Sequence, residues 1–194
     1  APLGGKLLWR KELAGGGRRA LLPQLDPVVV LEGNIVSFET GPAGGRLLYL
    51  GSEGEQLGEL ELGALPESLV SNGRRLFLSS RGQGAPGELL AVEVSAGKLK
   101  VSWRRPAPGA RAAELCLLGD GCVVAGAESL VMVDTVDGEM TWERADLGAV
   151  EALCPSGREL VIARGRALLL VDAASGATLR TFSERKSKIR SVAR

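Results

Sequence analysis

The stretch Ser129-Leu-Val-Met-Val-Asp134-Thr-Val-Asp-Gly138-Glu-Met-Thr-Trp142 contains an apolar run, an acid, a glycine four residues after the acid, and a tryptophan. The order of apolar run, acid and glycine occurs again at residues 90–97 and 169–176. Self-similarity at a period of roughly forty residues is the signature of a repeat architecture. The stretch therefore indicates a fold built from repeated units.

Short segments rich in valine and leucine surround each copy of this pattern. Gly, Pro, Asn and Ser separate these segments, which is typical of strands and turns. We predict four strands in each of three units, with the first strands near residues 67–70, 113–118 and 150–154. No long stretch has a helical period. The sequence therefore predicts an all-β chain that is nearly free of helix.

Residues 1–66 are less regular and allow two assignments of strands. In the first, residues 5–13 form the outer strand of a preceding unit. A full unit then comprises residues 20–25, 28–31, 35–39 and 46–50. Tyr49 lies in the outer strand of this unit, as Trp9, Trp103 and Trp142 do in theirs. In the second, residues 46–51 pair with residues 56–62, and residues 28–38 form inner strands. Both assignments stay open at this point.

Four-stranded units repeated radially form a β-propeller, in which each unit, or blade, buries both faces against its neighbours. The quoted stretch, with weaker copies at residues 88–103 and 167–182, resembles the propeller repeats of the quinoprotein-like family. Residues 176–182 followed by 188–193 are also similar to WD40 repeats. The chain has no histidine and no Trp-Asp dipeptide, which favours the quinoprotein-like variety.

We expect one β-propeller domain over residues 1–194, with units at 14–66, 67–109, 110–147 and 148–187 and partial strands at both ends. This count fits a small ring of four or five blades or part of a larger ring. No apolar stretch approaches the roughly 18 residues that a membrane span requires. Residues 1–5 lack the pattern of a leader peptide, and we expect none in this chain.

The glycine-rich motifs predict loops rather than binding sites. The stretch Gly82-Gln-Gly84-Ala-Pro-Gly87 matches GxGxxG, but the residues after it predict a strand instead of the helix that a dinucleotide site requires. Residues 15–19 could cradle a phosphate, but an interblade loop explains them more simply. Without histidine, Ser-His-Asp and Cys-His catalysis are unavailable. We predict no enzyme, and no catalytic, cofactor-binding or metal-binding residues.

Recurrence separates structural residues from catalytic ones. Glu93, Asp134 and Asp172 occupy one position of each unit. A catalytic group is needed once, whereas a turn needs its acid in every unit, so we predict that these acids cap turns. Trp9, Trp103 and Trp142 recur as well and are predicted to pack between blades, with a surface-exposed binding role as the alternative.

The three cysteines, Cys116, Cys122 and Cys154, lack the close spacing of a zinc or redox site. Free cysteine usually behaves as a small buried hydrophobic residue, and we predict this role for all three. A Cys116–Cys154 disulfide is the alternative, because both residues fall in equivalent segments of neighbouring units.

We predict a non-catalytic protein–protein interaction scaffold, as a subunit or domain of a multiprotein assembly, since rigid folds place recognition in loops. The resemblance implies one alternative, a quinone-cofactor dehydrogenase, although such enzymes use larger rings. Binding of nucleic acid is a second alternative, because the last fifteen residues carry a net charge of +5. No aromatic residue interleaves these charges as single-strand binding requires, so a protein partner is favoured.

Candidate partner contacts are polar residues that the blade pattern does not require. They lie in predicted loops or in the basic C-terminal segment: Arg18, Arg19, Arg81, Gln83, Arg104, Arg105, Arg111, Lys186, Lys188 and Arg190.

Overall fold

A computed structural model describes residues 28–41, 44–81, 87–95, 97–107, 114–126 and 129–183. These residues form sixteen strands in four sheets, and they contain no helix. Each sheet has four strands in chain order, and every neighbouring pair is antiparallel. The predicted all-β class and the four-stranded unit are confirmed.

The four sheets follow one another along the chain. The first contains β1 (Val28–Leu31), β2 (Asn34–Gly41), β3 (Gly44–Leu50) and β4 (Gln56–Glu61). The second contains β5 (Leu65–Ser71), β6 (Arg75–Arg81), β7 (Glu88–Ser95) and β8 (Lys98–Pro106). The third contains β9 (Glu114–Leu118), β10 (Gly121–Ala125), β11 (Leu130–Asp134) and β12 (Met140–Arg144). The fourth contains β13 (Ala152–Ser156), β14 (Glu159–Arg164), β15 (Ala167–Asp172) and β16 (Thr178–Ser183).

The middle strands carry unbroken apolar runs because both of their faces are buried. In β7, Leu90 and Val92 pack towards the first sheet, whereas Leu89 and Ala91 pack towards the third. All five residues of β10 are buried. A strand covered on one face would alternate apolar and polar residues, and a strand covered on both faces needs none of the polar ones.

Consecutive sheets pack face to face through three separate cores. The first and second sheets enclose a core around Val36 and Leu76. Phe77 of the second sheet and Val124 of the third lie in the next core, and the third and fourth sheets share a core around Leu130 and Ile162. Among the described residues, these cores join each sheet to its neighbours in the chain, which is the arrangement of propeller blades.

The second assignment of residues 28–62 is the one that the structure supports. β3 pairs with β4, and Tyr49 lies opposite Gly58 in that pair. Tyr49 is therefore a residue of the third strand, and its predicted equivalence to Trp103 and Trp142 of the outer strands is wrong. Trp9 and the other strand segments predicted before residue 28 lie outside the described residues.

Every outer strand pairs with its neighbour through a shift in register at one shared place, a β-bulge. The shifts lie at Tyr49/Leu50, Ala91/Val92, Met132/Val133 and Leu170/Val171. A bulge bends the strand and changes the face to which the following side chains point. The outer-strand residues at this position are Gly58, Trp103, Trp142 and Arg180, and the first three face the next sheet in chain order.

Candidate functional site

Asp134 closes the turn between β11 and β12. Its Oδ1 accepts a hydrogen bond from the backbone N–H of Val136 at 2.6 Å. The N–H of Gly138 donates to the carbonyl oxygen of Asp134 at 3.0 Å, and the N–H of Asp134 donates to Glu139 at 2.8 Å. The carboxylate is thus engaged by local backbone, as predicted from its recurrence.

Asp172 closes the equivalent turn of the fourth sheet. Its Oδ1 accepts hydrogen bonds from the N–H and the hydroxyl of Ser175, at 2.9 and 2.6 Å. The N–H of Gly176 donates to the carbonyl oxygen of Asp172 at 2.9 Å. The hydrogen bond from the Ser175 side chain, followed by the backbone hydrogen bonds, lowers the pKa of Asp172.

Glu93 does not share this role, and its predicted turn-capping function is wrong. The pairing of β7 with β8 continues past Glu93 to Ser95 and Lys98, so the acid lies within a strand. Its Oε2 lies 3.5 Å from Nε of Arg75. The acid therefore takes part in an ion pair across neighbouring strands.

Trp103 of the second sheet packs on the turn of the third. A Cβ atom added to Gly138 would lie only 2.7 Å from the Trp103 ring, and Gly138 has a φ of 74°. The indole N–H donates to the carbonyl oxygen of Thr135 at 3.3 Å. Glycine is therefore required at residue 138 both for its backbone conformation and for the close approach of the ring.

Trp142 of the third sheet makes the same contact with the fourth. Its ring would lie 2.8 Å from a Cβ atom at Gly176, and its indole N–H donates to Ala173 at 2.8 Å. The predicted packing of the two tryptophans between sheets is correct. In the first sheet, Gly58 occupies this position and lies against Gly97 of the second.

Two residues after Trp103 and two residues after Trp142 stands an arginine that binds the same turn as the tryptophan. Nε of Arg105 donates to the carbonyl oxygen of Gly138 at 3.4 Å, and its Nη2 lies 2.6 Å from Glu139. Nη1 of Arg144 donates to the carbonyl oxygen of Gly176 at 2.5 Å. The sequence analysis missed Arg144, although the shared Trp-x-Arg spacing is a visible signal.

The carboxylate of Asp146 holds the Arg144 side chain in place. Its guanidinium donates to Asp146 through Nε and Nη2, at 2.6 and 2.7 Å. This pairing lowers the pKa of Asp146 to about 2. The second and third sheets thus each place an aromatic ring and a guanidinium on one face, where they bind a turn of the next sheet that carries an acid and a glycine.

The structure brings three of the predicted contact residues to one end of the second sheet. Arg81 is the last residue of β6, and Arg104 and Arg105 lie near the end of β8. The predicted placement of Arg81, Arg104 and Arg105 in loops is wrong, because all three belong to strands. Arg105 binds the third sheet, whereas Arg104 has a half-exposed side chain 3.4 Å from Glu88. The other predicted contacts lie outside the described residues: Arg18, Arg19, Gln83, Arg111, Lys186, Lys188 and Arg190.

None of the three cysteines forms a disulfide, so the alternative of a Cys116–Cys154 disulfide is absent from the structure. Cys122 is buried, and desolvation raises the pKa of its thiol. Cys116 and Cys154 line one apolar cavity of about 230 Å³ with Val70 and Pro155. Cys116 and Cys122 thus have the predicted buried character, and Cys154 is half-buried.

Two kinds of feature are absent from the described residues. Across their six ranges, no group of three or more acidic or cysteine side chains is placed to hold a metal ion. The same residues include no helix of the length and apolarity needed to cross a membrane.

The stack of four-stranded sheets defines the chain as a β-propeller. BamB from Moraxella catarrhalis, a β-propeller, has a similar structure, with a TM-score of 0.64 and 15% sequence identity. The similarity covers 81% of this chain and 48% of BamB, so the chain spans about half the length of that protein. No protein-family model and no curated protein sequence matches the chain. The structural similarity therefore establishes the fold.

Proposed function

We propose that this chain is a non-catalytic scaffold that binds protein partners within a multiprotein assembly. The observation that supports this proposal is the use of the recurring acids and tryptophans. Asp134 closes the turn between β11 and β12, and Trp103 packs on that turn and donates to its Thr135 carbonyl oxygen, which joins the second sheet to the third. Side chains of types that active sites use thus serve here to join the sheets. The joined sheets hold strand ends and loops in fixed positions.

The end of the second sheet is the surface that we propose for partner binding. Arg81, Arg104 and Arg105 reach this end from two strands. The side chain of Arg104 is 50% exposed and pairs only across the surface with Glu88, an interaction of small net energy. Arginine is enriched at protein interfaces, where it makes bidentate contacts and stacks on aromatic rings. We also infer the quinoprotein-like variety of propeller from the repeat at residues 129–142.

Chemical cross-linking of the tagged full chain, with mass spectrometry of the copurified proteins, tests the proposal. We expect Arg104→Glu to reduce the yield of a cross-linked partner while leaving the melting temperature unchanged. Lys100→Glu is the matched control, because Lys100 is an exposed cation elsewhere on the same strand. Equal loss of partner in both variants would assign the effect to net charge. Turnover of a small-molecule substrate by the purified chain would overturn the non-catalytic proposal.

A further inference from the structure

The face of the fourth sheet that points away from the third carries an arginine and an aromatic ring. The second and third sheets carry the same two groups on their outer strands, in the reverse order. The second sheet has Trp103 and Arg105 at two alternate positions of its outer strand, and the third has Trp142 and Arg144. The fourth sheet has Arg180 at the tryptophan position and an aromatic ring, Phe182, at the arginine position. The Trp-x-Arg pattern is thus replaced by Arg-x-Phe.

The two groups of the fourth sheet lie together on this face. The guanidinium of Arg180 lies 5.7 Å from the centre of the Phe182 ring. The residues paired with them on β15 are Leu170 and Leu168, both half-buried. Directly paired residues of neighbouring strands share one face of a sheet, so these four side chains form one continuous patch. We call it the β16 patch.

Nothing in the described residues fills the role that the next sheet fills elsewhere. None of the three cores contains a residue of the β16 patch, because Leu169 and Val171 point the other way, into the core shared with the third sheet. All six residues of β16 are exposed, and Phe182 is 50% exposed. By contrast, Trp103 is only 8% exposed beneath the next turn.

The established contacts show what such a face binds. Trp103 and Arg105 together hold a turn with Asp134 and Gly138. The ring packs on the glycine, and the guanidinium takes the carbonyl oxygen and a nearby carboxylate, as Arg105 does with Glu139. An arginine and an aromatic ring at the same two positions therefore fit another turn with a glycine and acids.

Charge favours the same kind of ligand. No described carboxylate pairs with Arg180, whose contact is the ring of Phe182. The sequence that follows adds further basic residues, and residues 180–194 carry a net charge of +5. An arginine paired with a carboxylate forms strong, short hydrogen bonds. An acidic turn would thus gain from both the arginine and the surrounding positive potential.

We propose that the β16 patch binds an acidic, glycine-containing β-turn of a partner protein. The patch places an arginine and an aromatic ring at the same two strand positions as in the inter-sheet contacts, with the two groups exchanged. Arg180 would face the acids of the turn, and Phe182 would pack on its backbone. This inference rests on the proposed scaffold function and adds to it the chemistry of one partner surface.

A cyclic peptide tests the proposal directly. The probe carries residues 133–140, the turn that Trp103 and Arg105 hold within the chain, and the control peptide has glutamine in place of Glu139, the acid that Arg105 binds. With the full chain, we expect the probe to shift the amide NMR signals of residues 168–170 and 180–182. We expect the control peptide to bind about tenfold more weakly, because charge-assisted hydrogen bonds are the stronger ones. Binding should also weaken as salt is raised.

Two variants locate the binding. Arg180→Glu combined with Phe182→Ser should abolish the shifts, and both residues are exposed, so the melting temperature should not change. Lys98→Glu combined with Leu57→Ser, both on other outer strands, should leave binding intact. Shifts elsewhere, equal binding of both peptides, or binding that survives the first double variant would overturn the proposal. A dimer that the first double variant dissociates, or coverage of the patch by residues 1–27 or 184–194 in hydrogen exchange, would overturn it too.

The scaffold proposal is separable from this inference. If cross-linked partners copurify with the full chain in the same yield after Arg180→Glu, the scaffold function stands and the β16 patch is not its binding surface. If no partner copurifies and the peptide still binds at the patch, the proposal that the β16 patch binds an acidic turn stands, and the proposal of a scaffold in a multiprotein assembly fails.

Discussion

The indole N–H of Trp142 donates a 2.8 Å hydrogen bond to the carbonyl oxygen of Ala173, which lies 31 residues later in the next sheet. Trp103 makes the corresponding bond to Thr135, 32 residues later. Both acceptors are the residues directly after the turn acid. A tryptophan in the outer strand thus binds the backbone of the following sheet in two cases, and it fixes the second sheet to the third and the third to the fourth.

Removing the indole N–H alone should weaken this contact measurably. We expect Trp142→Phe to lower the free energy of unfolding by about 0.5–1.5 kcal/mol, because an aromatic ring remains and one hydrogen bond is lost. Trp103→Ala should cost about 3–5 kcal/mol, since it removes a buried aromatic side chain. Urea denaturation measures both values. Phe182→Ala is the control, and a change above about 0.5 kcal/mol there would contradict the exposed position of that ring.

The glycine under each tryptophan should be intolerant of a side chain for two separable reasons. Gly138 and Gly157 both have a positive φ, at 74° and 64°, so alanine at either position costs about 1–2 kcal/mol in backbone energy. Only Gly138 lies against a ring, whereas nothing lies within 4 Å of a Cβ atom at Gly157. We expect Gly138→Ala to cost about 1–3 kcal/mol more than Gly157→Ala.

A double-variant cycle checks the origin of that difference. Trp103→Ala removes the ring that a Cβ atom at Gly138 would meet at 2.7 Å. The two substitutions together should therefore destabilise the chain by less than the sum of their separate effects, since the steric overlap disappears. Strictly additive effects would show that the ring and the glycine do not interact.

The sequence predicts the strands well because a strand that is buried on both faces contains an unbroken apolar run. β10 and β11 are short apolar runs bounded by turns, and no helix of ordinary length fits between those turns. The equivalence of Trp103 and Trp142 is likewise visible as a repeat. These features depend on side-chain type, which is what a sequence records.

The errors come from features that side-chain type does not encode. Glu93 has the same spacing to a glycine as Asp134, but the β7–β8 hairpin continues for two more residue pairs before it turns. The sequence holds one sign of this, since Trp103 follows its glycine by six residues and Trp142 follows its own by four. Arg144 was missed because its inter-sheet acceptor is the backbone carbonyl of Gly176, and every residue has a carbonyl.

Asparagine should suit the turn between β1 and β2 better than Glu32 does, because Glu32 has a positive φ. Glu32 and Gly33 connect β1 to β2 with φ values of 50° and 78°, which is the type I′ geometry that favours Asn-Gly. We expect Glu32→Asn to raise the free energy of unfolding by about 0.5–1 kcal/mol, as asparagine adopts positive φ more readily. The N–H of Glu32, which donates to Gly73, is retained in the variant. Glu53→Asn, at an exposed turn residue without positive φ, should give no gain in the same thermal melts.

The Arg144–Asp146 pair should make stability depend on pH in the acid range. Arg144 lowers the pKa of Asp146 to about 2, against about 3.9 for an aspartate in an unfolded chain. Between these values the unfolded chain binds more protons than the folded one, so the free energy of unfolding falls as pH falls from about 4 to about 2. Urea midpoints across this range should show a smaller slope for Asp146→Asn, which cannot titrate there. Arg144→Met should also have the smaller slope, together with lower stability at every pH because the bond to Gly176 is lost. Wild-type slopes in both variants would show that other carboxylates carry the acid dependence.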